Sequence, residues 1–158
     1  MTPDDGKRRP ALASAAAGAD GAPAALRSAL AHVGDRWTLL VVQALLDGPR
    51  RFNELQHDLG GIAPNILSQR LRQLERDRLV VAQPYSEHPR RFAYELTGSG
   101  AELAGALRLL AQWGADRAGH PGQAVVHAAC GTPAEARWWC PTCDRVIEDE
   151  ELDELRWV

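Results

Sequence analysis

Apolar residues recur at helical spacing through the first part of the chain. They repeat every three or four residues over 24–33, which predicts one helix, and again over 36–47, which predicts a second. The second helix, RWTLLVVQALLD, is apolar nearly all round, a pattern typical of a helix buried at the centre of a core. Asp35 directly precedes it and can cap its first turn.

The pattern then passes from helices to strands and back. Phe52, Leu55 and Leu59 predict a short amphipathic helix that ends at Gly60-Gly61. After it we expect, in order, a helix beginning at Pro64, strands over 80–85 and 92–97 joined by a polar turn, and a long helix over 98–118. This order predicts an α+β fold, mainly α-helical, in which a pair of helices precedes a β-hairpin.

The helix predicted over residues 65–78 has two chemically different faces. With Asn65 set at 0°, the polar residues fall within about 40° of it and the leucines between about 180° and 240°. The polar face carries Asn65, Gln69, Arg72 and Arg76, with Ser68 at its flank, and the apolar face carries Leu67, Leu71 and Leu74. Arginine can pair with guanine, and Asn or Gln with adenine, at their major-groove edges. The alternative interpretation is an ordinary solvated helix surface.

The surroundings of this helix favour the nucleic-acid interpretation. Arg50 and Arg51 precede the short helix and could clamp phosphate, and the hairpin turn carries His88, Arg90 and Arg91. A short helix, a tight connection, a second helix and a basic hairpin form the consecutive set of a winged helix-turn-helix. In that arrangement the second helix enters the major groove, and the wing (residues 85–91) contacts the backbone or the minor groove.

The resemblance to a known family is specific. The stretch VGDRWTLLVVQALLDGPRRFNELQHDLGGIAPNILSQRLRQLERDRLV, followed by YSEHPRRFAYELTGSG, resembles the HxlR-type winged-helix regulators of bacteria over residues 24–118. The resemblance implies a homodimeric DNA-binding repressor or activator whose first and last helices form the dimer interface. It assigns Asn65, Ser68, Gln69, Arg70 and Arg72 to the recognition helix and Arg90 and Arg91 to the wing.

The chain departs from this family at one position. Many members carry a Cys-Pro just before the first helix, and some use that cysteine to sense oxidants or electrophiles. The corresponding place here reads APAAL, with alanine at Ala24, which argues against redox sensing from that position.

The apolar stripe of the last long helix predicts dimerisation independently of the family resemblance. Leu103, Leu107, Leu110 and Trp113 form a stripe that is too long for so small a domain to cover, so we expect a second copy of the chain to cover it. The alternative is that the stripe packs entirely within its own subunit. A two-fold dimer would bind a roughly palindromic operator in double-stranded DNA.

The C-terminal segment carries all three cysteines. His127, Cys130, Cys140 and Cys143 follow the pattern H-x2-C-x9-C-x2-C, which suits one structural Zn2+ per chain in a zinc-ribbon-like tail, with no other cofactor expected. The alternative is a metal-free β-hairpin with buried free thiols. A redox role for CPTC is disfavoured because no βαβ unit surrounds it.

Charge and composition complete the prediction. The net charge of −3 does not by itself favour a nucleic-acid binder, but the acidity is concentrated in EDEELDEL near the C-terminus. We expect a disordered arm over 1–23, a winged domain over 24–118 and a Cys-rich appendage with an acidic end over 119–158. Without an evident signal peptide or membrane-length apolar run, we expect a cytoplasmic protein. The sequence contains no nucleophile elbow, P-loop or dinucleotide fingerprint, so we do not expect an enzyme. The alternative to a DNA-binding regulator is a protein-interaction module that acts through the cysteine-rich tail.

Overall fold

The computed structural model describes residues 23–118 and 125–155. All but the last residue of the predicted N-terminal arm therefore lie outside the described residues. The helices are α1 (Ala24–Val33), α2 (Arg36–Leu46), α3 (Phe52–Asp58), α4 (Pro64–Arg76), α5 (Gly98–Ala101) and α6 (Ala104–Ala118). The strands are β1 (Arg50–Arg51), β2 (Val80–Glu87), β3 (Arg90–Leu96), β4 (Trp139–Cys140) and β5 (Arg145–Val146), and a 3-10 helix spans Asp149–Glu154. We call residues 24–118 the winged body and residues 125–155 the cysteine tail.

Helix α2 lies at the centre of the winged body, as its apolar pattern predicts. Val41 and Val42 are fully buried, and α2 contacts α1, α3, α4, α5, α6 and β3. Asp35 caps this helix, since its carboxylate accepts hydrogen bonds from the backbone amides of Trp37 (3.0 Å) and Thr38 (3.2 Å). The cap satisfies amides that have no partner within the helix.

A three-stranded antiparallel sheet with strand order β1-β3-β2 covers one side of the helices. The hairpin is longer than predicted, because pairing continues to Glu87↔Arg90 and leaves only His88 and Pro89 in the turn. Strand β1 was not predicted. Its two residues pair with Tyr94 and Ala93 of β3, and a strand of two residues is too short to produce an alternating pattern.

The long helix predicted over 98–118 is interrupted, and the prediction of one continuous helix is wrong. Thr97 caps α5 by accepting from the amide of Gly100 (3.2 Å), and α6 begins only at Ala104. A Cβ at Gly100 would lie 2.1 Å from the carbonyl oxygen of Leu79. The backbone therefore packs against the start of the hairpin at this glycine, and glycine also has a low helix propensity.

The apolar stripe of α6 divides between two environments. Leu107 belongs to the core and Leu103 packs against it, so this part is covered by its own subunit. Leu110 and Trp113 are exposed to 52% and 60%. The expectation that a partner covers the whole stripe is therefore wrong for the first half.

The cysteine tail consists of two short turns and the 3-10 helix. An antiparallel bridge joins Val126 to Pro133, and β4 pairs with β5 to form a second hairpin. Over residues 125–155 no side chain is fully buried. In the part of the chain that the structure describes, no helix is both long and apolar enough to cross a membrane.

Candidate nucleic-acid interface

Helix α4 has the two faces that its sequence predicts. Leu67, Leu71 and Leu74 are 0–1% exposed and anchor the helix on the core. Pro64 occupies the first turn, where its missing N–H costs nothing. The opposite face presents exposed side chains from Asn65, Gln69, Arg72 and Arg76, with Ser68 half-buried beside them.

A groove separates α4 from the hairpin. It has a volume of about 220 Å³, and Ser68 and Arg72 line its helical wall while Phe92 and Tyr94 line its strand wall. Burial raises the pKa of the Tyr94 phenol above its ordinary value, and the nearby Glu75 carboxylate adds to the shift. The phenol therefore remains a neutral group beside the Arg72 guanidinium.

Two predicted site arginines on α4 have partners within the chain. The Nε of Arg70 lies 3.0 Å from Oδ1 of Asp35, the residue that caps α2. The guanidinium of Arg76 donates to Oε1 of Gln73, whose amide in turn donates to Asp77 (2.9 Å). Arg70 therefore links α4 to the start of α2, and Arg76 takes part in a chain of hydrogen bonds at the C-terminal end of α4.

A second, basic cleft lies between the start of α3 and the wing. The guanidinium of Arg51 stacks over Tyr85 at 4.4 Å from the ring centroid, and that of Arg90 over Phe92 at 5.3 Å. These two residues and Arg91 line a cleft of about 560 Å³. Stacking on aromatic rings holds the cations in place while leaving their N–H groups available.

The remaining predicted residues near this cleft differ in availability. The Nε of Arg50 lies 3.6 Å from Oδ2 of Asp58, so this arginine has an acidic partner on α3. His88 is exposed in the hairpin turn. The structure thus brings together Arg51, Arg90 and Arg91 and places Arg50 beside an acid.

Six residues that line the cleft with the arginines were absent from the predicted site residues, among them Asn53, Tyr85 and Phe92. Asn53 is the second residue of α3, next to the arginine pair, and its position beside a predicted helix start was a usable signal. The aromatic residues looked like ordinary strand residues, and no pattern in the sequence distinguished them.

The sequence profile of the HxlR-like helix-turn-helix family matches residues 32–121. The chain belongs to this family. The matched region contains the core, α4, the hairpin and α6, and so includes every predicted DNA-binding residue. This HxlR-like chain is a transcriptional regulator of the helix-turn-helix type and not an enzyme.

Named relatives and solved structures agree with the family match. The chain is 40% identical over 122 residues to the uncharacterised HTH-type transcriptional regulator Rv3095 of Mycobacterium tuberculosis, covering 75% of this chain and 77% of the relative. It is 34% identical over 100 residues to the transcriptional regulator YodB of Bacillus subtilis, covering 63% and 88%. The structure of reduced YodB from B. subtilis gives a TM-score of 0.53 at 33% identity, covering 64% of this chain and 98% of that one. That of the regulator YtcD gives 0.57 at 30%, covering 60% and 97%.

The cysteine tail lies beyond the region that the HxlR-like profile matches. Its three cysteines are free thiols. Cys130 Sγ lies 3.4 Å from His127 Nδ1, and the Cys140 and Cys143 thiols contact each other. Hydrogen bonds from Thr132 lower the pKa of the Cys130 thiol below its ordinary value.

Among the described residues no group of three or more His, Cys, Asp or Glu side chains is gathered around a common point, so the predicted ligands lie in two separate pairs. Cys140 lies in a strand rather than at a helix start, unlike the cysteines of a thioredoxin-like site.

Proposed function

We propose that this regulator binds double-stranded DNA in a sequence-specific manner as a homodimer, with α4 in the major groove. The supporting observation is the exposed row of Asn65, Gln69 and Arg72 on a helix fixed by three fully buried leucines. Amide and guanidinium groups pair with the major-groove edges of adenine and guanine, and Ser68 suits a phosphate oxygen. A rigidly anchored helix presents these groups with little loss of conformational entropy on binding.

The wing holds the duplex without reading its sequence. Arg51, Arg90 and Arg91 surround one cleft, and such a cluster of cations suits the phosphates of the backbone or the narrow minor groove. His88 at the turn is exposed and lies within the same wing. Arg50, Arg70 and Arg76 have partners in their own subunit, so we assign them to orienting the interface rather than to base contacts.

The dimer forms through α1 and α6. Leu26 and Leu30 on α1 are exposed to 43% and 54%, and Leu109, Leu110 and Trp113 on α6 are exposed to 48–60%. Large apolar side chains grouped on two helices are typical of a surface covered by another chain. A two-fold axis would present two copies of α4 to successive major grooves, so the operator is roughly palindromic.

Selection of bound duplexes from a random pool tests the proposal. The enriched sequences should contain inverted half-sites about one helical turn apart. Arg72→Ala should then relax the preference at one base pair of each half-site, since a bidentate base contact contributes roughly 1–3 kcal/mol of discrimination. Fluorescence anisotropy on the selected duplex and on point-substituted duplexes measures this change.

Two further variants distinguish sequence-specific base contacts from contacts to the phosphate backbone. Arg90→Ala should weaken binding to all duplexes alike and reduce the slope of log affinity against log salt by about 1. Arg137→Ala, which removes the same charge from the cysteine tail, is the matched control and should leave both quantities unchanged. An Arg72→Ala protein that keeps the full sequence preference would show that α4 does not read bases with this face.

A further inference from the structure

We propose that the cysteine tail is a zinc site in which His127, Cys130, Cys140 and Cys143 hold one Zn2+ in tetrahedral coordination. The proposal concerns a part of the chain beyond the region that the HxlR-like profile matches, and it does not depend on DNA binding. It follows from three observations: the two turns have the same construction, each carries one ligand pair, and the segment that contains them has no core.

The two turns repeat one backbone design. In the first, the amide of Gly131 donates to the carbonyl of His127 at 2.7 Å; in the second, the amide of Asp144 donates to that of Cys140 at 2.8 Å. Gly131 and Asp144 both adopt a positive φ, of 69° and 54°. Each turn is closed by antiparallel pairing, by a single bridge in the first case and by β4 and β5 in the second.

Asp is one of the few residues besides glycine that adopt a positive φ readily, and Asp144 does so in the second turn. Here it reverses the chain directly after Cys143, at the position that Gly131 occupies after Cys130. The same reversal follows the second ligand of each pair.

Each turn places two ligand atoms at the spacing that a metal requires. Bond lengths of about 2.3 Å for Zn–S and 2.0–2.1 Å for Zn–N put the two atoms about 3.6 Å apart in a tetrahedral site. Cys130 Sγ and His127 Nδ1 are 3.4 Å apart. In the second turn, the thiols of Cys140 and Cys143 contact each other.

The tail contributes no residue to the buried apolar core. Over residues 125–155 no side chain is fully buried, and Trp138 and Trp139 are exposed to 62% and 54%. Segments shorter than about 40 residues generally need a metal, a disulfide or a partner to fold. The cysteines are free thiols, and binding of zinc contributes its free energy directly to folding.

Binding one ion through all four ligands requires the two pairs to converge. They lie apart in the structure, and the nine residues between Cys130 and Cys140 are long enough to let one turn close on the other. Zinc fits the set better than other divalent ions, because thiolate with imidazole in a closed four-ligand site is its preferred environment.

Metal analysis of the full chain, purified without a metal-affinity tag from zinc-supplemented cells, tests the site. We expect close to one zinc per chain by mass spectrometry of the elements, and less than a tenth of that in the Cys140→Ser/Cys143→Ser protein. His127→Ala should lower zinc affinity by at least roughly tenfold, as measured by competition with a chromophoric chelator. His57→Ala, which removes an exposed histidine from α3, is the matched control and should retain full affinity.

Cobalt substitution identifies the ligands independently. The Co2+ form should show thiolate-to-cobalt charge-transfer absorption and the intense visible bands of a tetrahedral ion, and the double serine variant should lack both. The double variant should also keep the helical circular dichroism of the parent, which shows that the winged body remains folded. A chain with no bound metal, with stoichiometric iron, or with a Cys140–Cys143 disulfide in the protein isolated without reductant would overturn the proposal.

Discussion

The winged body and the cysteine tail both contain turns closed by backbone hydrogen bonds, but they differ in what surrounds those turns. In the body, α2 and the leucines of α4 pack into one contiguous apolar core. In the tail, exposed turns are joined by ion pairs such as Arg145–Glu151 and Arg137–Asp149. Exposed ion pairs contribute little to stability, so the tail needs a different source of folding free energy.

This difference has a functional meaning. The body can position α4 without help from the tail, because every residue that anchors the helix belongs to the body's own core. Conversely, we expect a gain or loss of metal in the tail to leave the surface that we assign to DNA undisturbed. Substitutions should therefore affect stability strongly in the body and weakly in the tail, and three experiments measure that contrast.

The largest effect is expected in the core. Leu71→Ala removes a side chain that is 1% exposed and should lower the free energy of unfolding by about 2–5 kcal/mol. Trp139→Ala removes a larger side chain from the tail, but one that is 54% exposed, and should change global stability by less than about 0.5 kcal/mol. Urea unfolding monitored by circular dichroism compares the two. Equal losses would show that the tail is part of the same cooperative unit.

A smaller but more local effect is expected where the body's backbone packs closely. Gly100→Ala would place a Cβ 2.1 Å from the Leu79 carbonyl oxygen and should cost about 1–3 kcal/mol through displacement of α5 from the hairpin. Gly105→Ala is the matched control, since nothing lies within 4 Å of its added Cβ. That variant should be neutral or more stable by up to about 1 kcal/mol. If thermal unfolding finds both variants equally stable, the close approach does not exist in solution.

The smallest effect is expected in the tail and depends on pH. Two hydrogen bonds from Arg145 lower the pKa of the Glu151 carboxyl to about 2 from its ordinary 4.5. Because the folded pKa is depressed, this pair's contribution is fully present above about pH 4.5 and is lost as the pH falls toward 2. NMR titration of the Glu151 carboxyl in the presence of a chelator should show the low midpoint. A midpoint near 4.5 would mean that the pair does not form, and Glu151→Gln, which cannot titrate, is the control.

The sequence predicts most of the body because each of its elements has a pattern of apolar and polar residues that is visible within the element itself. The all-apolar α2, the two-sided α4 and the alternating hairpin each bury the face that their own spacing defines. The break between α5 and α6 escapes such reasoning, because it depends on a backbone contact between Gly100 and Leu79, two distant residues. Strand β1 escapes it for the same reason, since it exists only by pairing with β3.

The residue types of the candidate interface could be predicted from the sequence, but the contacts between those residues could not. Residue types on α4 and the wing indicate nucleic acid, and the family match agrees with that interpretation. Only the fold shows that Arg70 reaches Asp35 and that Arg51 stacks on Tyr85. In the tail, the ligand spacing was visible in the sequence, whereas the equivalence of the two turns required their backbone angles.

The junction between α1 and α2 contacts α4, the helix that we propose enters the major groove. His32 Nδ1 lies 3.3 Å from Oδ2 of Asp77 at one end of α4, and three residues later Asp35 contacts Arg70 near its middle. Helix α1 also belongs to the surface that we assign to the second subunit. A few degrees of rotation at this corner would therefore tilt α4 and alter how far apart the two copies stand. Residues 32–35 therefore connect the proposed dimer surface to the proposed recognition helix, and we expect substitutions there to change the preferred spacing of half-sites.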